Sequence, residues 1–171
     1  MKLWGMTLRI HKSRLNNSFP MKIDIVAIGQ LKKGALCDAL LEYEKRIQWP
    51  VHFIIHESKK SGDVAKRSEE HEKLISSLDS SAFVIAMDER GKTLPSLKFA
   101  QKIQDLQNQG RSHIQFVIGG ADGLSEDIRK RADILLSFGS QTWPHMLARV
   151  MLLEQIYRCQ QIIAGHPYHR E

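Results

Sequence analysis

Two segments of this chain, Ala82-Phe83-Val84-Ile85-Ala86-Met87 and Ile114-Gln115-Phe116-Val117-Ile118, are apolar almost without a break. Side chains along a strand point alternately to opposite faces, so a strand that is apolar on both needs cover above and below. A sheet layered with helices on both sides follows, and the rest of the chain supplies the parts. Ile23–Ile28 alternates and ends at Gly29, while Val51–His56 and Ile134–Phe138 read as further strands. Ala35–Ile47 has a helical pattern, with Leu36, Leu40, Leu41 and Tyr43 as its candidate buried stripe. Lys59 to Glu72 is dense in charge and reads as a solvated loop leading into a helix that ends near Leu78. Leu94–Gln109 is helical and stops at Gly110. Ser125 caps a short helix opened by Glu126 and Asp127, the end at which acids are favourable, and Met146–Ile163 is the last helix. The expected fold is one α/β domain with a parallel-rich central sheet and no repeat.

At 171 residues and 42% apolar content the chain suits a single domain with a sizeable core. No run approaches the roughly 18 apolar residues of a membrane span. Cys37 and Cys159 are far apart and match no metal spacing, so they read as free thiols in a reducing, cytoplasmic compartment. The formal charge of +6 is unevenly spread. Lys2, Arg9, Lys12 and Arg14 stand without an acid in residues 1–20, whereas from Met21 onward acids and bases nearly balance. Any polyanion partner must therefore be met by a local patch. Residues 1–20 form a basic extension without clean periodicity, and Met21 begins afresh with a strand. That break reads as a translation start set too early, or else as a basic arm adding affinity for nucleic acid. A signal peptide would need an apolar core and a cleavage site, and neither is convincing. The domain is thus expected over residues 21–171.

Gly119-Gly120-Ala121-Asp122-Gly123 follows a buried strand, at the end of an open α/β sheet where ligands bind. It matches neither G-x-G-x-x-G nor G-K-[ST], so a dinucleotide or nucleoside triphosphate is poorly supported, and a tight turn is the plainer use of Gly-Gly. A second loop, Ser137 to Pro144, offers small and polar residues to an adenine or an amino-acid zwitterion. Helix capping is the simpler reading of Thr142 and His145 taken singly. The following helix carries Leu147, Val150, Met151, Leu153, Ile156 and Tyr157 on a wide apolar face, with Arg149 and Arg158 elsewhere and Glu154 able to pair with Arg158. So broad a face points to a second subunit as well as the sheet. Neither G-x-S-x-G nor H-E-x-x-H occurs, and His11, His52, His56, His71 and His113 read as ordinary residues. The ending Gly165-His166-Pro167-Tyr168-His169-Arg170-Glu171 is different. Chain ends are usually loose, but this one gathers groups suited to stacking on a base and pairing with phosphate.

These features together, with the opening strand, Thr142-x-Pro144-His145, Arg149 and Glu154-Gln155-x-Tyr157-Arg158, make residues 21–171 resemble the SPOUT class of methyltransferases. Within it the chain is most similar to the small bacterial family that methylates N3 of a pseudouridine in large-subunit ribosomal RNA. Met146 stands where relatives often have proline, a departure confined to the loop exit. The resemblance implies a deep trefoil knot in the C-terminal part of the chain, which periodicity cannot reveal. It implies S-adenosylmethionine as cofactor, bent in the knotted loops of a homodimer and touched by Met87, Gly120, Gly139, Ser140, Gln141, Thr142, Trp143 and Pro144. No metal is implied. The last helices would form much of the subunit interface, and the tail of one subunit would approach the site of the other. His169 is then the candidate base for the N3 proton, with water as the alternative acceptor. Tyr168 would stack on or hydrogen-bond to the uracil, and Arg170 would bind phosphate or developing charge on the ring oxygens. A nearly neutral body is a poor general RNA binder, so the implied partner is the assembled 70S ribosome at a large-subunit hairpin, with no DNA and no membrane. The competing readings are a SPOUT enzyme acting on transfer RNA or another ribosomal nucleotide, and a noncatalytic ribosome-associated factor of the same fold.

Overall fold

The computed structural model describes residues 21–58 and 61–169; the N-terminal extension, Lys59-Lys60, Arg170 and Glu171 lie outside them. Strands and helices alternate strictly: β1 (Lys22–Ile28), α1 (Ala35–Arg46), β2 (Val51–His56), α2 (Asp63–Ser76), β3 (Phe83–Thr93), α3 (Ser96–Asn108), β4 (His113–Ile118), α4 (Glu126–Arg131), β5 (Ile134–Ser137) and α5 (His145–Ile163). Every strand pairing is parallel, in the order β2-β1-β4-β3-β5. The two-sided apolarity of the central strands has its expected cause. Ile25, Ile85 and Phe116 point into a core with α1, α3 and α5, while their neighbours Val26, Val84 and Val117 point into a second core with α2 and α4. On the first face α5 packs against both α1 and α3.

Three local expectations are corrected. The charge-rich stretch read as a loop is mostly helix, since α2 begins at Asp63. Its charges lie one turn apart and pair along the helix, Lys73 Nζ to Glu69 Oε1 at 2.6 Å and Lys66 Nζ to the buried Glu70 Oε1 at 3.9 Å, with Ser68 bonding Glu72. In α1 only Leu40 of the proposed stripe is buried, whereas Leu36 and Leu41 are each 41% exposed. The chief helical neighbour of α1 is α5, so one line of side chains is covered and its flanks are not.

The third correction concerns β3, which continues to Thr93 instead of stopping before Asp88. Met87 and Lys92 both pair with Leu136 of β5, so residues 88–91 are looped out between them. Asp88 closes this excursion onto α4: Oδ2 accepts from Arg129 Nε at 2.7 Å and Oδ1 from the backbone N–H of Arg90 at 2.9 Å. Gly91 is required by close approach, because a Cβ there would lie 2.6 Å from the carbonyl carbon of Leu135. Backbone lies directly against backbone at this point.

At the start of β1 and β4 Asp24 is buried and gathers His113 Nε2 at 2.7 Å, Lys22 Nζ at 3.2 Å and Gln115 Nε2 at 3.3 Å around one oxygen. Burial raises the carboxyl pKa, but the bonds from His113 and Lys22 outweigh it and hold the group below its ordinary value. A depressed carboxyl stabilises the fold above about pH 4 and loses that contribution as the pH falls through its folded value. Asp24→Asn is accordingly expected to lower the urea midpoint at about pH 6 and to approach wild type as the pH is lowered below about 4. A deficit that does not shrink with falling pH would place the stabilisation outside the carboxylate.

Candidate active site

The site is built by the path of one loop. β5 is an edge strand, and α5 begins at His145, whose ring lies against Gly29 at the end of β1. Residues 138–144 therefore leave one edge of the sheet and land beside β1, spanning the C-terminal ends of β3 and β4 between them. Those ends carry Met87, in register with Ile118 and Leu136, and the Gly119-Gly120 turn. All the residues expected to contact a cofactor thus stand on one edge of the sheet. Ser137 shapes the start of the loop: its Oγ donates to the carbonyl of Gly139 at 2.8 Å and accepts from the Gly139 N–H at 3.2 Å. Gly139 has φ +112, a conformation that side chains resist. Beyond it, the backbone groups of Ser140–Trp143 have no hydrogen-bond partner among the described residues, and the side chains are exposed.

Two cavities open at this edge. The larger, about 560 Å³, lies between Thr93–Ser96, Leu136–Gly139 and the α5 residues Val150, Met151, Glu154 and Gln155, with Tyr43 of α1 at its side. The smaller, about 140 Å³, lies below Gly120 and is lined by Glu70 and His71 of α2 and by Ser125 of α4. Gly139 belongs to the first and Gly120 to the second; Met87 and Ser140–Pro144 line neither. Gly119 folds the β4 turn tightly, since a Cβ on it would meet the carbonyl oxygen of Gly123 at 2.5 Å. Unpaired loop backbone beside a cavity, and glycines where a side chain would fill the space, fit a polar small molecule such as S-adenosylmethionine.

Arg149 was expected away from the apolar face of the last helix, but it is fully buried. Its Nη2 donates to the carbonyls of Ile28 at 2.5 Å and Gly29 at 2.8 Å, and Nη1 reaches Met146 Sδ at 3.5 Å. Nε has no hydrogen-bond partner. Burial pushes the pKa of this guanidinium down, and that of His145 is lowered by burial and then by Arg149 and Lys32. The spacing carries the signal that was missed: Leu152, Leu153 and Ile156, at i+3, i+4 and i+7 from Arg149, are all buried. The capping reading of Thr142 and His145 also gives way. Pro144 occupies the cap position of α5 and no side chain caps the helix. Ser125, by contrast, caps α4 as expected, accepting from the N–H of Ile128.

The tail folds back on its own α5. Tyr157 and Tyr168 meet edge to face with centroids 4.8 Å apart, and the guanidinium of Arg158 lies 4.8 Å from the Tyr168 ring centre. Glu154 ties these groups to the larger cavity: Oε1 accepts from Arg158 and from the Tyr168 hydroxyl, and Oε2 from Gln155, which in turn accepts from Ser96. His169 Nδ1 lies 3.4 Å from Arg158 Nη1. Tyr168 and His169 line neither cavity, and Arg170 lies outside the described residues. Tyr168 is pushed up to about 12, first by burial and then by Glu154 and Tyr43, so it is a neutral hydroxyl at any working pH.

Residues 21–169 match the family described as "Predicted SPOUT methyltransferase". Ribosomal RNA large subunit methyltransferase H of Rhodospirillum centenum is 47% identical over 152 residues, covering 88% of this chain and 99% of its own. The protein of the same name from Zymomonas mobilis is 43% identical over the same shares. A probable methylase family protein from Haemophilus influenzae shares the fold at a TM-score of 0.53 and 15% identity, over 87% of this chain and 70% of that one. With a parallel sheet between helices, a family match over residues 21–169 and near-complete relatives at this identity, the chain belongs to the SPOUT methyltransferases, among the ribosomal RNA large subunit methyltransferase H proteins.

Proposed function

We propose that this protein transfers a methyl group from S-adenosylmethionine to N3 of a pseudouridine in 23S ribosomal RNA, the one numbered 1915, within the assembled 70S ribosome of a bacterial cytoplasm. The observation that carries this reading is the match to large subunit methyltransferase H proteins along 99% of their length, which leaves no catalytic segment of theirs without a counterpart. The sheet edge supports it with a roofed site, unpaired loop backbone and two adjoining cavities.

The bound cofactor supplies a methyl on a sulfonium that leaves as a neutral thioether, so the chain's own work is positioning and exclusion of water. Met87, Gly120 and Gly139–Pro144 hold the cofactor. Tyr168, neutral, donates to or stacks on the uracil, and Arg170 meets phosphate or ring oxygen. His169 accepts the N3 proton. While Nδ1 accepts from Arg158 the neutral ring keeps its proton on Nε2, so the imidazole works as a base only after leaving that contact.

A homodimer completes the proposal. Leu36 and Leu41 stand exposed on either side of buried Leu40 in α1, and Val150 and Met151 of α5 are half-buried, apolar surface suited to a second copy. In such a dimer the tail of one subunit serves the site of the other.

The test is methyl incorporation from labelled S-adenosylmethionine into 70S ribosomes from cells lacking this activity, with the modified nucleotide mapped and with separated subunits and transfer RNA assayed alongside. Incorporation at the large-subunit pseudouridine that requires assembled 70S particles is expected. Labelling of transfer RNA or another ribosomal nucleotide instead would move the protein to a different SPOUT activity.

A further inference from the structure

The small cavity below Gly120 holds a charge that the scheme above leaves unused. Glu70 of α2 is only 9% exposed, and its carboxylate stands so close to the β4 turn that a Cβ on Gly120 would lie 2.9 Å from Oε2. Among the described residues its one polar partner is Lys66 Nζ, 3.9 Å away on a half-exposed side chain. The other basic groups around the cavity are engaged elsewhere. Arg67 pairs with Asp122 at 2.5 Å, and His71 sits between Ser125 Oγ at 2.5 Å and Asp127 at 3.6 Å. A carboxylate this poorly solvated, with only that distant lysine beside it, favours the approach of a further cation. Glycine at position 120 keeps the space between that carboxylate and the turn open, where any larger residue would fill it.

We propose that Glu70 is the anionic wall of the cofactor site, placed to attract the sulfonium of S-adenosylmethionine and to disfavour the neutral thioether left after transfer. The inference rests on the methyltransferase reading above. In the reaction the S–CH3 bond breaks with its electron pair staying on sulfur, N3 gives its pair to the methyl carbon, and the N3 proton goes to the base. The positive charge at sulfur is thereby lost. A buried carboxylate within reach of sulfur therefore binds the charged donor more tightly than the product, which speeds exchange of one for the other.

Calorimetric titration of wild type and Glu70→Gln with S-adenosylmethionine and with S-adenosylhomocysteine separates charge from packing. Glutamine keeps the size of the side chain and removes its charge. The donor is expected to bind about tenfold more weakly, the loss of one charge-assisted contact, while the product binds as in wild type and so reports an intact fold. Equal weakening of both ligands, or of neither, overturns the proposal. Should Glu70→Gln bind neither ligand, Glu70→Asp decides: a wild-type ratio of donor to product affinity supports a charge contact, and a ratio near one removes it. Wild type that binds neither compound would fail the methyltransferase reading itself, an outcome distinct from all of these.

Discussion

Removal of residues 166–171 is expected to lower methyl transfer to 70S ribosomes by at least about 100-fold, the usual worth of positioned acid–base groups, with cofactor affinity little changed. The tail lines neither cavity and reaches the larger one only through the Tyr168 hydroxyl on Glu154, so deleting it leaves most of the cavity walls in place. Single-turnover transfer and a binding titration on the same preparation give the comparison. Intact transfer by the truncated protein would remove the tail from the site. Within the tail single substitutions assign the roles. Tyr168 stays protonated up to about 12 and so is not the base. His169→Gln is expected to lower the single-turnover rate by about 100-fold or more, and Tyr168→Phe by less. A wild-type rate in His169→Gln would make water the proton acceptor.

Arg149→Ala is expected to destabilise the fold by about 3–5 kcal/mol, among the largest effects open to a single residue. Three terms act together. The substitution empties the volume of the largest fully buried side chain, and it strips the carbonyls of Ile28 and Gly29 of their donors. It also frees the first turn of α5 from the end of β1, where His145 rests on Gly29. The relief of desolvating a guanidinium offsets part of this, which is why Arg149→Met should cost less than Arg149→Ala. Urea unfolding at one fixed protein concentration measures both. A loss below about 1 kcal/mol for Arg149→Ala would mean that water or a rearranged loop satisfies the two carbonyls.

Each of these effects depends on a contact between segments far apart in the chain, and such contacts were the hardest to foresee. The Glu70 carboxylate and the Gly120 turn are separated by α2, β3, α3 and β4. Nothing in the local pattern of α2 distinguishes Glu70 from Glu69 or Glu72, which pair along the helix surface. Only the closeness of α2 to the end of β4 turns one of three similar acids inward. Arg149 was a nearer miss, since its spacing to Leu152, Leu153 and Ile156 marks the buried face, but a charged residue on such a face is normally discounted. The route of residues 88–93 was hidden because Asp88-Glu89-Arg90-Gly91 has the composition of a turn, and its return to β5 is decided by Leu135 and Leu136.

What the chain's own order of residues determined is the layering. Apolar side chains at successive positions of β3 and β4 demand cover on both faces, helical spacing in the intervening segments provides it, and crossovers of that length make the strands parallel. Those are local requirements, met wherever the segments end up. The tail and the glycine-rich turn were likewise visible as unusual, and their joint resemblance to a methyltransferase family named the chemistry. The tertiary structure decided which residues share a space: the loop from β5 to β1 that roofs the sheet edge, the two cavities dividing Gly139 from Gly120, the guanidinium sealed under the end of β1, and the acid beside the turn. Strand order and register set those juxtapositions, and neither is written in the period of a segment because both depend on how distant segments compete to bury the same surface.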